Sequence, residues 1–285
     1  VYDPDLVNRL LAWFGATATV DQAQTLRAPL YLTLMMALAT LYQAAAMKEP
    51  TQSRIADGAV VSAARPSFRE TVALTFKAGQ WILRTRFALI VILAGLLFDH
   101  TIRLVVTLNS QYLRQIALPE SVFGIIAAGF SLLGIFLPRL ARRMADRYQP
   151  RFNFGVLATI TVLGLAGTAC FIPYAGLLPL VMLYSVMVFN QFFVSHYLNQ
   201  ISPSAERATV LSFKGLSYNI GYGLVGILYA FLLLHLRQSA SVAPDMVATQ
   251  VFMLSFKVLP WYFLFILALF MGYAHRYRTG GQPQR

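Results

Sequence analysis

Cysteine is almost absent from this sequence: one residue, Cys170, in a chain of 285. A single thiol forms no internal disulfide, and its apolar neighbours give no redox or metal-ligand pattern. Charge is scarce too. Only 12% of residues are Asp, Glu, Lys or Arg, about half of what soluble domains carry. No His-Glu-x-x-His, no Gly-x-Ser-x-Gly and no pair of catalytic carboxylates occurs, and Asp99 is the one acid deep in an apolar segment. The expectation is therefore no enzyme, no metal and no cofactor. A charged-then-apolar leader is also missing ahead of the first long apolar segment.

What is present is hydrocarbon. The chain is 58% hydrophobic with a mean hydropathy of +0.61, and its apolar residues come in blocks near the ~20 residues that carry a helix across ~30 Å of lipid. A helix satisfies its own backbone polar groups and is the natural spanning element. The sequence thus predicts an all-α polytopic transmembrane bundle of about seven spans. These run from about Pro29 to Met47, Phe87 to Leu108, Pro119 to Pro138, Phe154 to Ile172, Gly176 to Leu198, Ala208 to Leu234 and Phe252 to Tyr273. Residues 1–28 read as an external loop, 48–86 as a cytoplasmic linker, 87–275 as a six-helix domain and 276–285 as a cytoplasmic tail.

The formal charge of +12 would suggest nucleic acid in a soluble protein. Here the basic residues lie between spans, where they set orientation and meet anionic lipid, so the expected partner is the bilayer and no nucleic acid. Seventeen Lys and Arg fall on the side of the first long loop, the loop near Arg139 to Arg151 and the C-terminus, against four on the other side. This places the C-terminus in the cytoplasm, with the bacterial inner membrane as the expected location.

Within the linker, Glu49 to Pro66 reads as flexible. Ser67 to Glu70 then has the form of a capping box, and Phe68, Val72, Phe76 and Leu83 fall roughly on one face with Arg69, Lys77 and Arg84 elsewhere. An amphipathic helix on the membrane surface is expected, the alternative being a solvent-exposed helix against the bundle ends.

Polar residues inside a membrane are costly and mark cavities or functional pairs. The second span carries Asp99, His100 and Arg103. Asp99 lies near mid-span, where a charge costs ~2.5–3.5 kcal/mol on insertion scales. Asp99 and Arg103 are four apart and share a face with Gly95 and Thr107. One reading is a self-satisfied pair that pins the span; the other is a carboxylate that titrates or meets substrate, governed by Arg103 and His100. The fifth span places Asn190 and Gln191 side by side, so they point to different faces and at least one is expected in a cavity; the rival is amide glue between helices. His196, near that span's cytoplasmic end, reads as no ligand. In the sixth span Gly215, Asn219, Tyr222, Gly223 and Gly226 form a strip expected to pack closely on a neighbour. Lys214 is expected to snorkel to the inner boundary.

The order of a long basic loop, an amphipathic helix and six spans with polar residues in selected ones resembles the major facilitator superfamily. On that resemblance the first span is like the family's sixth helix and the rest like its seventh to twelfth. The family's seventh and tenth helices line its cavity, matching the charged second span and the amide-bearing fifth. The family's loop signature Gly-x-x-x-Asp-Arg-x-Gly-Arg is met in part by Arg142 to Arg151. Asp146-Arg147 is kept, the glycines are absent, and Arg151 comes one position late. Arg207-Ala-Thr-Val-Leu-Ser212 looks like the start of the family's eleventh helix.

The resemblance implies a secondary transporter, a symporter or antiporter working by alternating access on a small-molecule substrate with protons as coupling ion. Its expected site residues are Asp99, His100, Arg103, Asn190, Gln191, Asn219 and Tyr222, with Asp146, Arg147 and Arg151 as a conformational gating loop. It also implies a further N-terminal half as partner, about five spans. The chain opens on Val1, not methionine, which fits that expectation.

A seven-span receptor or sensor is the rival, since the topology matches and Asp146-Arg147-Tyr148 follows the third span. Against it stand Asp146 lying beyond that span's end, a first cytoplasmic loop of 39 residues (48–86), and no Asn-Pro-x-x-Tyr in the last span. A retinal protein would need a mid-span lysine there, whereas Lys257 is near the outer end.

Overall fold

The structure, a computed structural model, describes residues 4–15, 19–47, 53–56, 59–62, 68–202, 207–238 and 244–279. The chain divides into two compact units, Val1–Glu70 with Pro119–Val122, and Thr71–Leu118 with Phe123–Arg285.

The first unit is not the plain external loop and flexible linker that composition suggests. Helix α1 spans Pro4–Trp13 and α2 spans Gln22–Ala46. Asp21 caps α2: its carboxylate accepts from the Gln24 amide N–H at 2.8 Å while the Gln24 side chain accepts from the Asp21 N–H, a reciprocal box that satisfies two orphan donors. Asn8 ties α1 to this start, donating to the Val20 carbonyl and accepting from the Val20 N–H. The cap moves the helix start back from Pro29, and the apolar stretch Leu30–Ala46 is shorter than a full span. Strands β1 (Ser53–Ala56) and β2 (Ala59–Ser62) pair antiparallel, with Ser53 opposite Ser62 and Ala56 opposite Ala59. β-branched Ile55, Val60 and Val61 suit this pairing. Ser67, the proposed cap of the next helix, lies outside the described residues.

The second unit is an all-α bundle. Helix α3 (Phe68–Arg84) has the amphipathic pattern read from sequence, with Val72, Phe76 and Leu83 exposed. The long helices are α4 (Arg86–Thr107), α6 (Phe123–Arg147), α7 (Pro150–Ala169), α8 (Leu177–Ile201), α9 (Arg207–Gln238) and α10 (Pro244–Thr279), with a short α5 (Asn109–Gln115) after α4. Six helices are long and apolar enough to cross a bilayer. Their outward faces carry Ile125, Phe136, Ile220, Leu228, Phe265 and Met271, all exposed. An apolar surface of this extent has lipid as its solvent, and the chain is an integral membrane protein.

Helix α4 is the axis of the bundle. It packs against α8, α9 and α10, while α7 bridges α8 and α10 and α6 rests on α8. Its most apolar stretch is 61% buried, against 6% for α6 and for α9. Close approach depends on small residues. At Gly95 of α4 a Cβ would collide with the Tyr218 hydroxyl and with Val194, and at Gly164 and Gly167 of α7 it would press on Leu183 and Pro179 of α8. One end is sealed by rings: Tyr112 stacks on Phe256 at 5.5 Å and Phe171 meets both. There the Tyr112 hydroxyl donates to the Gly176 carbonyl at 3.0 Å.

Two boundaries differ from expectation. The third span does not start at Pro119 and stop at Pro138; Glu120–Val122 is a 3-10 turn, and α6 passes through Pro138 to Arg147. Its last turns carry Arg142 and Asp146, four apart and 3.9 Å from each other, a pairing that supports a helix in water. The helix therefore outlasts the hydrocarbon.

Candidate functional site

The charged residues of α4 are brought together as their spacing implied. One turn of helix places the Arg103 guanidinium 2.7 Å from the Asp99 carboxylate. The Asp99 side chain is 1% exposed and that of Arg103 26%. Each charge lowers the cost of burying the other. Arg103 also donates to the Asn219 side-chain oxygen on α9 at 2.9 Å, and its guanidinium lies over the Tyr222 ring, 5.4 Å from the centroid. One turn further along, Thr107 and Tyr222 share a hydrogen bond of 2.8 Å. Asp99, Arg103, Thr107, Asn219 and Tyr222 thus form a polar seam between α4 and α9.

The seam opens outward. Asn219 and Thr107 are exposed, and a Cβ at Gly215, Gly223 or Gly226 would meet nothing within 4 Å. The glycine strip of α9 is therefore not a packing interface among the described residues, contrary to the sequence expectation. Packing on α9 falls on the adjacent face, where Tyr218, Val225 and Tyr229 are buried and Gly221 receives Leu96. The physical reason is rotational: α9 turns Tyr218 and Tyr229 inward, and of the strip only Asn219 and Tyr222 reach α4 while Gly215, Gly223 and Gly226 stay open.

His100 stands apart from this seam. Its ring pairs with the Leu96 carbonyl and, at 2.9 Å, with the Tyr262 hydroxyl of α10. It borders a small, mainly apolar cleft of about 280 Å³ between α4 and α10. Its hydrogen bonds thus run to its own helix and to α10, and none to Asp99.

The two adjacent amides separate as their spacing required. Asn190 is buried and donates to the Gly95 carbonyl at 2.9 Å, which binds α8 to α4 where Gly95 lets the helices touch. Gln191 is exposed and lines a cleft of about 510 Å³ between α6 and α8. Asp146, Arg147 and Arg151 are all exposed. Asp146 faces Arg142 across one turn, and the Arg147 guanidinium lies over Tyr148. The pair closes a helix and is not free in a loop.

Sequence reasoning missed the contacts that Lys214 makes with Ser195 and Tyr218. Lys214 does not snorkel: it is half-buried, donates to the Ser195 hydroxyl at 3.0 Å and lies over the Tyr218 ring. It is also close enough to Asp99 for the two charges to interact. The signal was present, since Lys214 and Tyr218 are four apart and share a face that an apolar span turns inward. No family model, no curated protein and no solved structure matches this chain.

Proposed function

We propose that this chain belongs to a secondary active transporter that moves a small solute by alternating access, with Asp99 as its proton-coupling carboxylate. The observation that carries this reading is the α4–α9 seam. A buried carboxylate and its guanidinium, in a mainly apolar helix, connect to polar groups on an uncovered face. Lipid is a poor neighbour for such groups, at ~2.5–3.5 kcal/mol for a mid-bilayer charge, so a water-filled passage is the environment that fits. Carboxylates in such settings serve proton relays, because protonation frees the arginine to take another partner.

On this reading the six-helix bundle rocks against a second helical half, and the midplane site opens to each side in turn. The setting is the bacterial inner membrane with the C-terminus in the cytoplasm, as the basic loops favour. Resemblance to the major facilitator superfamily supports the same assignment from the sequence side.

The test uses the full-length protein in proteoliposomes with an imposed pH gradient and a panel of labelled solutes. A solute driven by the gradient in wild type is expected to lose that drive in Asp99→Asn. Proton-driven flux unchanged in the variant would remove Asp99 from the coupling role. Solute binding without any flux would favour a receptor instead.

A further inference from the structure

The cleft between α6 and α8 carries several polar side chains in a membrane helix bundle. We propose that it binds a small organic carboxylate, held through Ser195 by the charge of Lys214; this deepens the transporter reading by naming the class of solute. Its walls carry Gln191, Ser195, His196 and Asn199 on one side and Gly134 and Pro138 on the other. No Asp or Glu is among the described residues that line it. At about 510 Å³ it falls in the size range of small-molecule sites.

The electrostatics select an anion. Lys214 stands directly behind the cleft wall with its ammonium on Ser195. Among the described residues Lys214 makes no ion pair; its charge interacts with Asp99, whose own ion pair is with Arg103. A half-buried cation without an ion-pair partner favours negative charge nearby. The hydrogen-bond direction adds to this. Ser195 accepts from Lys214, so its own O–H is free to donate, and a hydroxyl polarised by an ammonium is a strengthened donor. Gln191 supplies amide donors on the same wall. Phe192 lines the cleft too and stacks on His196 at 5.6 Å, an apolar flank for the carbon part of a ligand. Gln200 pairs with His196 Nε2 at 3.0 Å.

The experiment measures equilibrium binding to the purified full-length protein by thermal shift and calorimetry. Probes are sodium benzoate, lactate and succinate, each matched with its neutral amide. At least one carboxylate is expected to bind and its amide to bind about tenfold more weakly or not at all. Lys214→Gln should lose about tenfold in carboxylate affinity, and Lys214→Arg should keep most of it. Should Lys214→Gln fail to purify as a folded protein, Ser195→Ala must show the loss, since it removes only one hydroxyl. Binding of none of the three carboxylates, equal binding of the amides, or wild-type affinity in Lys214→Gln or Ser195→Ala would each overturn the assignment. These readouts need no flux, so an overturned carboxylate site leaves the transport reading to its own assay.

Discussion

At the scale of single residues, the bundle turns on Gly95. Its missing side chain lets Tyr218 and Val194 approach α4, and its carbonyl accepts the Asn190 amide. Gly95→Ala should therefore overpack the α4–α8–α9 crossing and destabilise the protein by ~1–3 kcal/mol. The clash falls first on the Tyr218 hydroxyl, a buried group without a hydrogen-bond partner among the described residues. Adding Tyr218→Phe should then recover part of the loss, measured as thermal unfolding in detergent. A double variant no more stable than Gly95→Ala would show that Val194 or backbone movement dominates. The Asp99 carboxylate obeys a similar logic in charge: its helix neighbour Arg103 offsets its burial, and Arg103 in turn reaches Asn219 on α9.

At the scale of elements, α6 separates a membrane helix from its watery extension. Beyond Pro138 the helix carries Arg139, Arg142, Arg143 and Asp146, all exposed. The Arg142–Asp146 pair is fully on the surface and contributes little to stability. Asp146→Asn should shift the unfolding temperature negligibly, corresponding to less than about 0.5 kcal/mol. If it nevertheless slows transport severalfold in proteoliposomes, the Asp146-Arg147 segment acts on conformational change, as the family resemblance implies. Transport unchanged alongside unchanged stability would reduce it to a solvated helix end.

At the scale of the whole molecule, the arrangement of basic residues predicts which ends of the helices meet the cytoplasm. Helix α7 joins one loop expected inside, at Gln149, to one expected outside, at Ala175, and both positions are exposed. After Cys170→Ser removes the one native thiol, Gln149→Cys should resist a membrane-impermeant maleimide in intact cells and Ala175→Cys should react. The reversed pattern would invert the predicted topology.

The sequence alone determined an all-α bundle of about seven spans, six of them long apolar helices in the structure, and the i,i+4 spacing of Asp99 and Arg103. Helical spans report themselves through block length and hydropathy, and an i,i+4 pair is a local property of one helix. It also separated Asn190 from Gln191, because neighbours on a helix face different ways. Only tertiary structure decided which face of α9 packs, since Tyr218, Val225 and the glycine strip are equally compatible with burial until α4 takes one side. It likewise decided the fate of Lys214. A lysine near the end of a span reads as a snorkelling residue, and only the packing of α8 beside α9 supplies the Ser195 hydroxyl that holds it inside. Contacts between helices distant in sequence depend on rotation and crossing, which no single helix encodes.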